Sequence, residues 1–273
     1  MQLLIGFGDH DRSSTALEWS KALADRTGAD LAVVSVVHPA FAEVPPELLA
    51  QMRRAREETI DRLAGDAAAV VTLEGEGTAE LIRYAEEQGP DLLVVGRHDS
   101  MTFGGLGGEG AFEQLLRHYR RPFVVVPDNA PPLPSPSERL TVVVGVDGTD
   151  ANAESVAMIG ELTKRLEART IPIFSVVTMA STTRDHYGSR LVHQDEAEAI
   201  AARLPGAEPL RTPNEDPVRG VLDTASWERA DLVAIGTRGH RSFTDFFAGQ
   251  FARHLVDHSP IPVLVAPHHP RPE

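Results

Sequence analysis

The residues best suited to chemistry lie in two short stretches, Val142–Thr149 and Asp231–Pro267. In the second, an apolar run ends at Ile235 and Gly236. Arg238, Gly239 and Arg241 follow, and after a gap of nine residues from Gly239 come Gly249, Gln250 and Phe251. Glycines at 236 and 239 let backbone amides curl around an anion such as a phosphate. Gly249 and Gln250 open a helical pattern, whose free N–H groups and partial positive charge suit the same kind of group. Arg238 and Arg241 add mobile positive charge. The other stretch is an apolar run that closes on Asp147, Gly148 and Thr149, where a carboxylate can accept hydrogen bonds. A plainer reading stands beside each: Gly236 ends a strand, Asp147 caps the next helix, and the arginines are solvated.

Other chemistry finds little support. The 11 histidines include no H-E-x-x-H spacing, and His254 and His258 sit one turn apart on a helix surface. No G-x-S-x-G elbow and no Walker A lysine loop occurs, and cysteine is absent. No residue is assigned as catalytic and none as a metal ligand. Trp19 and Trp227 fall on helix faces and are expected in the core or at a domain contact. Arg53, Arg54 and Arg56, offset by Glu57 and Glu58, read as a solvated helix face.

The elements that must position these residues repeat along the chain. Asp91–Gly96 (DLLVVG) matches Asp231–Gly236 (DLVAIG) at an offset of 140, and Ser35–Val37, Pro122 and Pro127 recur at the same offset. The chain is a tandem duplication. Between the copies, residues 128–138 (DNAPPLPSPSE) carry four prolines and form an extended connector. The domains are therefore 1–127 and 139–273. In each copy, short apolar runs alternate with amphipathic stretches. Strands are predicted at 2–7, 31–37, 69–73, 91–96 and 122–126, then at 141–146, 171–177, 207–211, 231–236 and 262–266. Helices are predicted at 13–27, 46–64, 78–88 and 110–119, then at 151–167, 189–203, 216–228 and 249–258. Strands of continuous Val, Leu and Ile separated by helices make an α/β fold: two tandem, doubly wound parallel sheets of five strands. Ligands of such sheets bind outside the strand carboxyl ends, at the switch point.

Taken together, VVVGVDGT at 142–149 and Gly236-x2-Gly239-x9-Gly249 resemble the signatures of the universal stress protein family, and the resemblance covers essentially the whole chain. It implies a Rossmann-like sheet of the adenine nucleotide alpha hydrolase type, in the order 3-2-1-4-5. It also implies pairing through last strands, at Phe123–Val126 and Val263–Ala266, in a homodimer or an intramolecular pseudo-dimer. Some members bind ATP or another adenine nucleotide, with or without Mg2+. On that pattern Asp147 would take the adenine amino group or a ribose hydroxyl. Val177 and Ile235 would touch the base, and the glycine loop would hold the phosphates. Position 250 departs from the family pattern, having Gln where binders have Ser or Thr.

The first copy keeps less of this site. Gly8 stands for Asp147, Asp99 for Gly239, Glu109 for Gly249 and Gly110 for Gln250. Residues 97–110 carry a net charge of −1, against +1 for 237–250, so the first copy opposes a triphosphate. The run from Gly105 to Gly110 imitates a dinucleotide fingerprint, but it starts nine residues past Gly96 and has no counterpart in the second copy.

Bulk properties exclude some partners. A formal charge of −14 disfavours nucleic acid and anionic membrane. Without a basic, cleavable leader at Met1, a cytoplasmic location is expected. The reading that results is a universal stress response protein binding an adenine nucleotide in its second domain as a sensor or regulator, with slow ATP hydrolysis at most. The alternative is a stress scaffold or interaction protein with vestigial pockets.

Overall fold

A computed structural model describes residues 1–8, 10–37, 46–65, 68–97, 110–146, 150–175, 194–205, 207, 210–212, 216–237 and 248–267. The chain divides into two compact units, Met1–Leu133 and Pro134–Glu273. In the first, β1 (Gln2–Gly6), α1 (His10–Thr27), β2 (Asp30–Val37), α2 (Pro46–Ala64) and β3 (Ala68–Glu74) come in turn. Next are α3 (Gly77–Gln88), β4 (Leu92–Gly96), α4 (Ala111–His118) and β5 (Phe123–Val126). The described strands form a sheet in the order β3-β2-β1-β4-β5, every pairing parallel.

The second unit repeats the plan. Its elements are β6 (Thr141–Gly145), α5 (Asp150–Arg165), β7 (Arg169–Ser175), α6 (Gln194–Ala201), β8 (Leu210–Thr212), α7 (Pro217–Trp227), β9 (Leu232–Gly236), α8 (Ala248–His258) and β10 (Val263–Ala266). Their order is β8-β7-β6-β9-β10, again parallel throughout. Both units thus have the 3-2-1-4-5 order.

The central strands have no solvent face. Leu3, Leu4, Ile5 and Leu92–Val95 are at most 2% exposed, as are Val142–Val144 and Val233–Ile235. Apolar side chains on both faces of a strand require a helix layer on each side. In the first unit α1 packs on β4 and β1, and α2 on β3, while α3 packs on β2 and against α4. The repeated aspartates have a structural task. Asp91 Oδ2 accepts from Gln2 N at 2.8 Å, and Asp231 Oδ2 accepts from Thr141 N at 2.8 Å. Each carboxylate holds the start of the first strand beside the fourth.

Two expectations fail among the aromatics and cations. Trp19 is buried at 4% exposure, but Trp227, the last residue of α7, is 76% exposed and is no part of the core. Tyr119 instead closes the first core, packed edge-on against Phe123 with ring centroids 6.3 Å apart. Burial, helped by the charge of Glu86, pushes its phenol above the usual tyrosine range. The second failure, at Arg56, belongs to the site described next.

Candidate functional site

In the second unit, β6 and β9 are neighbours, with Val142–Val144 paired to Leu232–Ala234. From β6 the chain continues to β7 on one side, and from β9 to β10 on the other. Their adjacent carboxyl ends therefore form the switch point, where a crevice opens between diverging connections. Val146 N donates to Ile173 O at 2.8 Å and fixes the exit of β6. Gly145 and Ile235 touch there: a β-carbon at 145 would sit 3.2 Å from Ile235 Cγ2.

Of the sequence-selected residues, Ile235 (1% exposed) and Gly236 end β9 at this point. Gly249, Gln250 and Phe251 occupy the first turn of α8, and Phe251 is half-buried. Asp147, Gly148, Thr149, Val177, Arg238, Gly239 and Arg241 lie outside the described residues.

Sequence reasoning missed two residues of α5 beneath Gly236. A β-carbon at 236 would lie 2.6 Å from Ser155 Cβ and 2.7 Å from its Oγ. Real side chains do not approach so closely, so only glycine lets α5 pack against the end of β9. Ser155 is wholly buried, and its hydroxyl has no hydrogen-bond partner among the described residues. Asn152, 4% exposed, is the second neighbour, with Nδ2 3.5 Å from the same point. The pairing of Gly236 with Ser155 was visible only as two small residues 81 positions apart, which no periodicity connects.

The first unit has a different site at the same edge of its sheet. Gly8, in the place of Asp147, has its amide bound to Ser13 Oγ at 3.1 Å. The guanidinium of Arg56, reaching over from α2, donates to Ser35 Oγ and to the carbonyls of Phe7 (3.2 Å) and Gly8. The solvated reading of Arg56 is therefore corrected: it caps the carboxyl end of β1 and joins it to β2. Its neighbour Arg53 pairs with Glu74 at the end of β3. At the offset of 140 the sequence of the second copy has Glu196 where the first has Arg56.

Beside the capped strand lies a cavity of about 20 Å³, partly open. Its walls are mainly apolar, with Val34 and Val36 from β2, Val95 from β4, and Leu81 and Leu115 from α3 and α4. Gly77 and Thr78, at the amino end of α3, also line it, with Gly6–Gly8 and Ala111. Gly110 is the residue before α4; Asp99, Glu109 and the glycines from 105 to 108 lie outside the described residues.

Among the described residues no cluster of three or more His, Asp or Glu is placed to hold a metal ion. His254 and His258 stack edge-on at 5.7 Å, and His258 Nδ1 contacts the His254 carbonyl at 2.8 Å. Nor is any helix among these residues long and apolar enough to cross a membrane.

The model of the universal stress protein family matches the chain twice, at residues 1–127 and 138–267. The chain belongs to that family. The match takes in both units, so the duplicated architecture is a duplication of the family's domain. Among curated relatives, universal stress protein Rv1996 of Mycobacterium tuberculosis is 24% identical over 304 residues, covering 97% of this chain and 94% of the relative. A universal stress protein from Archaeoglobus fulgidus superposes with a TM-score of 0.65 at 16% identity, covering 98% of this chain and 96% of the other. One from Pseudomonas aeruginosa gives 0.61 at 16% identity, over 98% and 93%. These structures share the fold.

Proposed function

We propose that the second unit binds an adenine nucleotide, ATP or a close relative, and that occupancy acts as a signal in a stress response. The observation that carries this reading is the switch point. The ends of β6 and β9 lie side by side, with Asp147 two residues beyond the last residue of β6 and the glycine loop directly after Gly236. The first turn of α8, with Gly249 and Gln250, supplies amides for a phosphate. A metal would enter only with the nucleotide.

One observation favours the rival reading, a scaffold with a vestigial pocket. Gly236 is already required by its contact with Ser155, so this glycine would persist without any ligand.

Mass spectrometry of the purified chain, followed by calorimetric titration with ATP in the presence and absence of Mg2+, separates the two. A retained adenine nucleotide or saturable binding in the tens of micromolar is expected, with at least a tenfold loss in Gly239→Asp. No binding would establish the scaffold, and unchanged binding by Gly239→Asp would move the site elsewhere.

A further inference from the structure

We propose that the strand-start rim of the second unit is a docking surface for an acidic segment of another protein, with the indole of Trp227 at its centre. Both units build this rim from the same helix and strand ends, so the residues can be compared place by place. Arg169 N donates to Leu140 O at 2.7 Å, as Asp30 N does to Met1 O at 2.9 Å, which makes Asp30 the twin of Arg169. Ala168 N donates to Thr163 O as Ala29 N donates to Ala24 O. Asp25 is therefore the twin of Lys164, and Gly28 that of Glu167. At the offset of 140, Glu87 stands for Trp227 and Gly89 for Arg229.

Two of these exchanges run against local preference. Gly28 and Gly89 have φ of 63°, in the left-handed region that glycine enters freely. Glu167 and Arg229 hold the same turns at φ 51°, where a β-carbon is disfavoured. They are the two non-glycine residues with positive φ among the described residues, and both lie on this rim. The first unit makes the same turns with glycine, so the frame does not call for side chains there. A side chain kept at a strained position points to a use of that side chain. Trp227 is the independent sign. Its twin Glu87 is engaged by Arg83 on the same helix, whereas the indole stands 76% exposed.

The pieces are contiguous. Glu228, next to Trp227, pairs with Arg169 at 3.2 Å. The guanidinium of Arg139 donates to the carbonyls of Glu167 at 3.0 Å and Ala168 at 3.4 Å, beside Arg169. Arg139, Lys164 and Arg229 are exposed, and the Arg169 side chain is 54% exposed. Three carboxylates of the first rim, Asp25, Asp30 and Glu87, have given way to Lys164, Arg169 and an indole, and Arg229 has been added. Glu167 and Glu228 offset part of this change. On a chain of formal charge −14, the rim has moved toward the opposite sign. Such a surface answers carboxylates: guanidinium groups take them in paired, planar hydrogen bonds. The indole covers an apolar side chain between them. The two glutamates interrupt the positive track, so the unbroken charge of a phosphate backbone fits it less well.

The test is fluorescence anisotropy of a labelled peptide, Asp-Glu-Phe-Glu-Asp, titrated with the intact chain at low salt, with tryptophan emission followed in parallel. Saturable binding with a blue shift of the emission is expected, and raising the ionic strength should weaken it. Trp227→Ala should weaken it at least tenfold. Arg229→Gly installs the residue of the first unit, so the fold is kept while peptide binding falls at least fivefold. No saturable binding, or equal binding of Lys-Arg-Phe-Arg-Lys, overturns the inference. So does undiminished binding by Trp227→Ala or Arg229→Gly. Tighter binding of a single-stranded oligonucleotide of equal charge would make the rim a phosphate surface and overturns it as well. None of these results bears on the nucleotide reading, which concerns the other ends of the same strands.

Discussion

Two helices in the same position of the two units begin in opposite ways. α7 carries its own cap, Asp216, and needs nothing from outside. α3 has Glu76 in that place without a side-chain hydrogen bond, and opens onto a cavity. The strand ends beside them differ as well. β1 runs into Gly8, whose carbonyl is occupied by Arg56, while β6 runs toward Asp147. Duplicated sheets have kept one core and acquired two rims. The core answers to close packing on both faces, which leaves little freedom. The rims answer to local hydrogen bonding, which one substitution can reverse.

The largest expected effects test the shared core. Leu115 and Leu255 stand at the same offset and are both fully buried. Leu255→Ala should cost about 3 kcal/mol in urea unfolding, within the range usual for such truncations. Leu115→Ala should cost about 1 kcal/mol less, because Leu115 already borders a void and has fewer contacts to lose. Equal losses would mean that the cavity is filled in solution.

Next come the close-approach glycines. Gly236→Ala drives a β-carbon into the Cβ of Ser155 and should destabilise by about 1–3 kcal/mol. Gly6→Ala meets only the terminal methyl of Leu81, at 2.5 Å, and that methyl can rotate away. It should therefore cost less than about 1 kcal/mol. A reversed ranking in thermal denaturation would show that α5, rather than Leu81, has room to move.

A smaller effect tests the caps. Asp216→Ala should cost about 1 kcal/mol, as losses of such caps usually do, while Glu76→Ala should leave stability unchanged. The smallest effect at neutral pH belongs to Tyr119. Its phenol is held protonated by burial, so its folded pKa lies above the unfolded value of about 10. Above that pH the unfolded chain binds fewer protons than the folded one, and stability must fall as pH rises. Below it the group contributes nothing that varies with pH. Tyr119→Phe should flatten the alkaline limb of the stability profile of the first unit while leaving its slope near pH 7 unchanged.

Much of the core was legible because its signal is local. Runs such as Leu92–Val95 and Val233–Ile235 fit a doubly covered parallel strand, and the offset of 140 carried the assignment from one copy to the other. Ends were less legible. α1 starts at His10 rather than 13, and the edge strand β8 runs one residue past the predicted end, to Thr212, while residues 208 and 209 lie outside the described residues. Arg56 was misread because its partners lie 21 and 48–49 residues away, beyond any helical spacing. The core alternative fails for Trp227, because a helix stripe says which face is apolar but not where cover ends. At the end of β9, the glycine at 236 was legible, and its contact with Ser155 was not.

Because all described strands within a unit run the same way, the loops that follow them gather on one rim, and the turns on the opposite rim hold the strands in register. Asp91 and Asp231 work on that second rim, unchanged between the copies. A chain built so can exchange its recognition chemistry by drift in a few loop and helix-end positions, while the two aspartates keep the strands aligned. Duplication then provides two independent experiments in molecular recognition on one inherited frame.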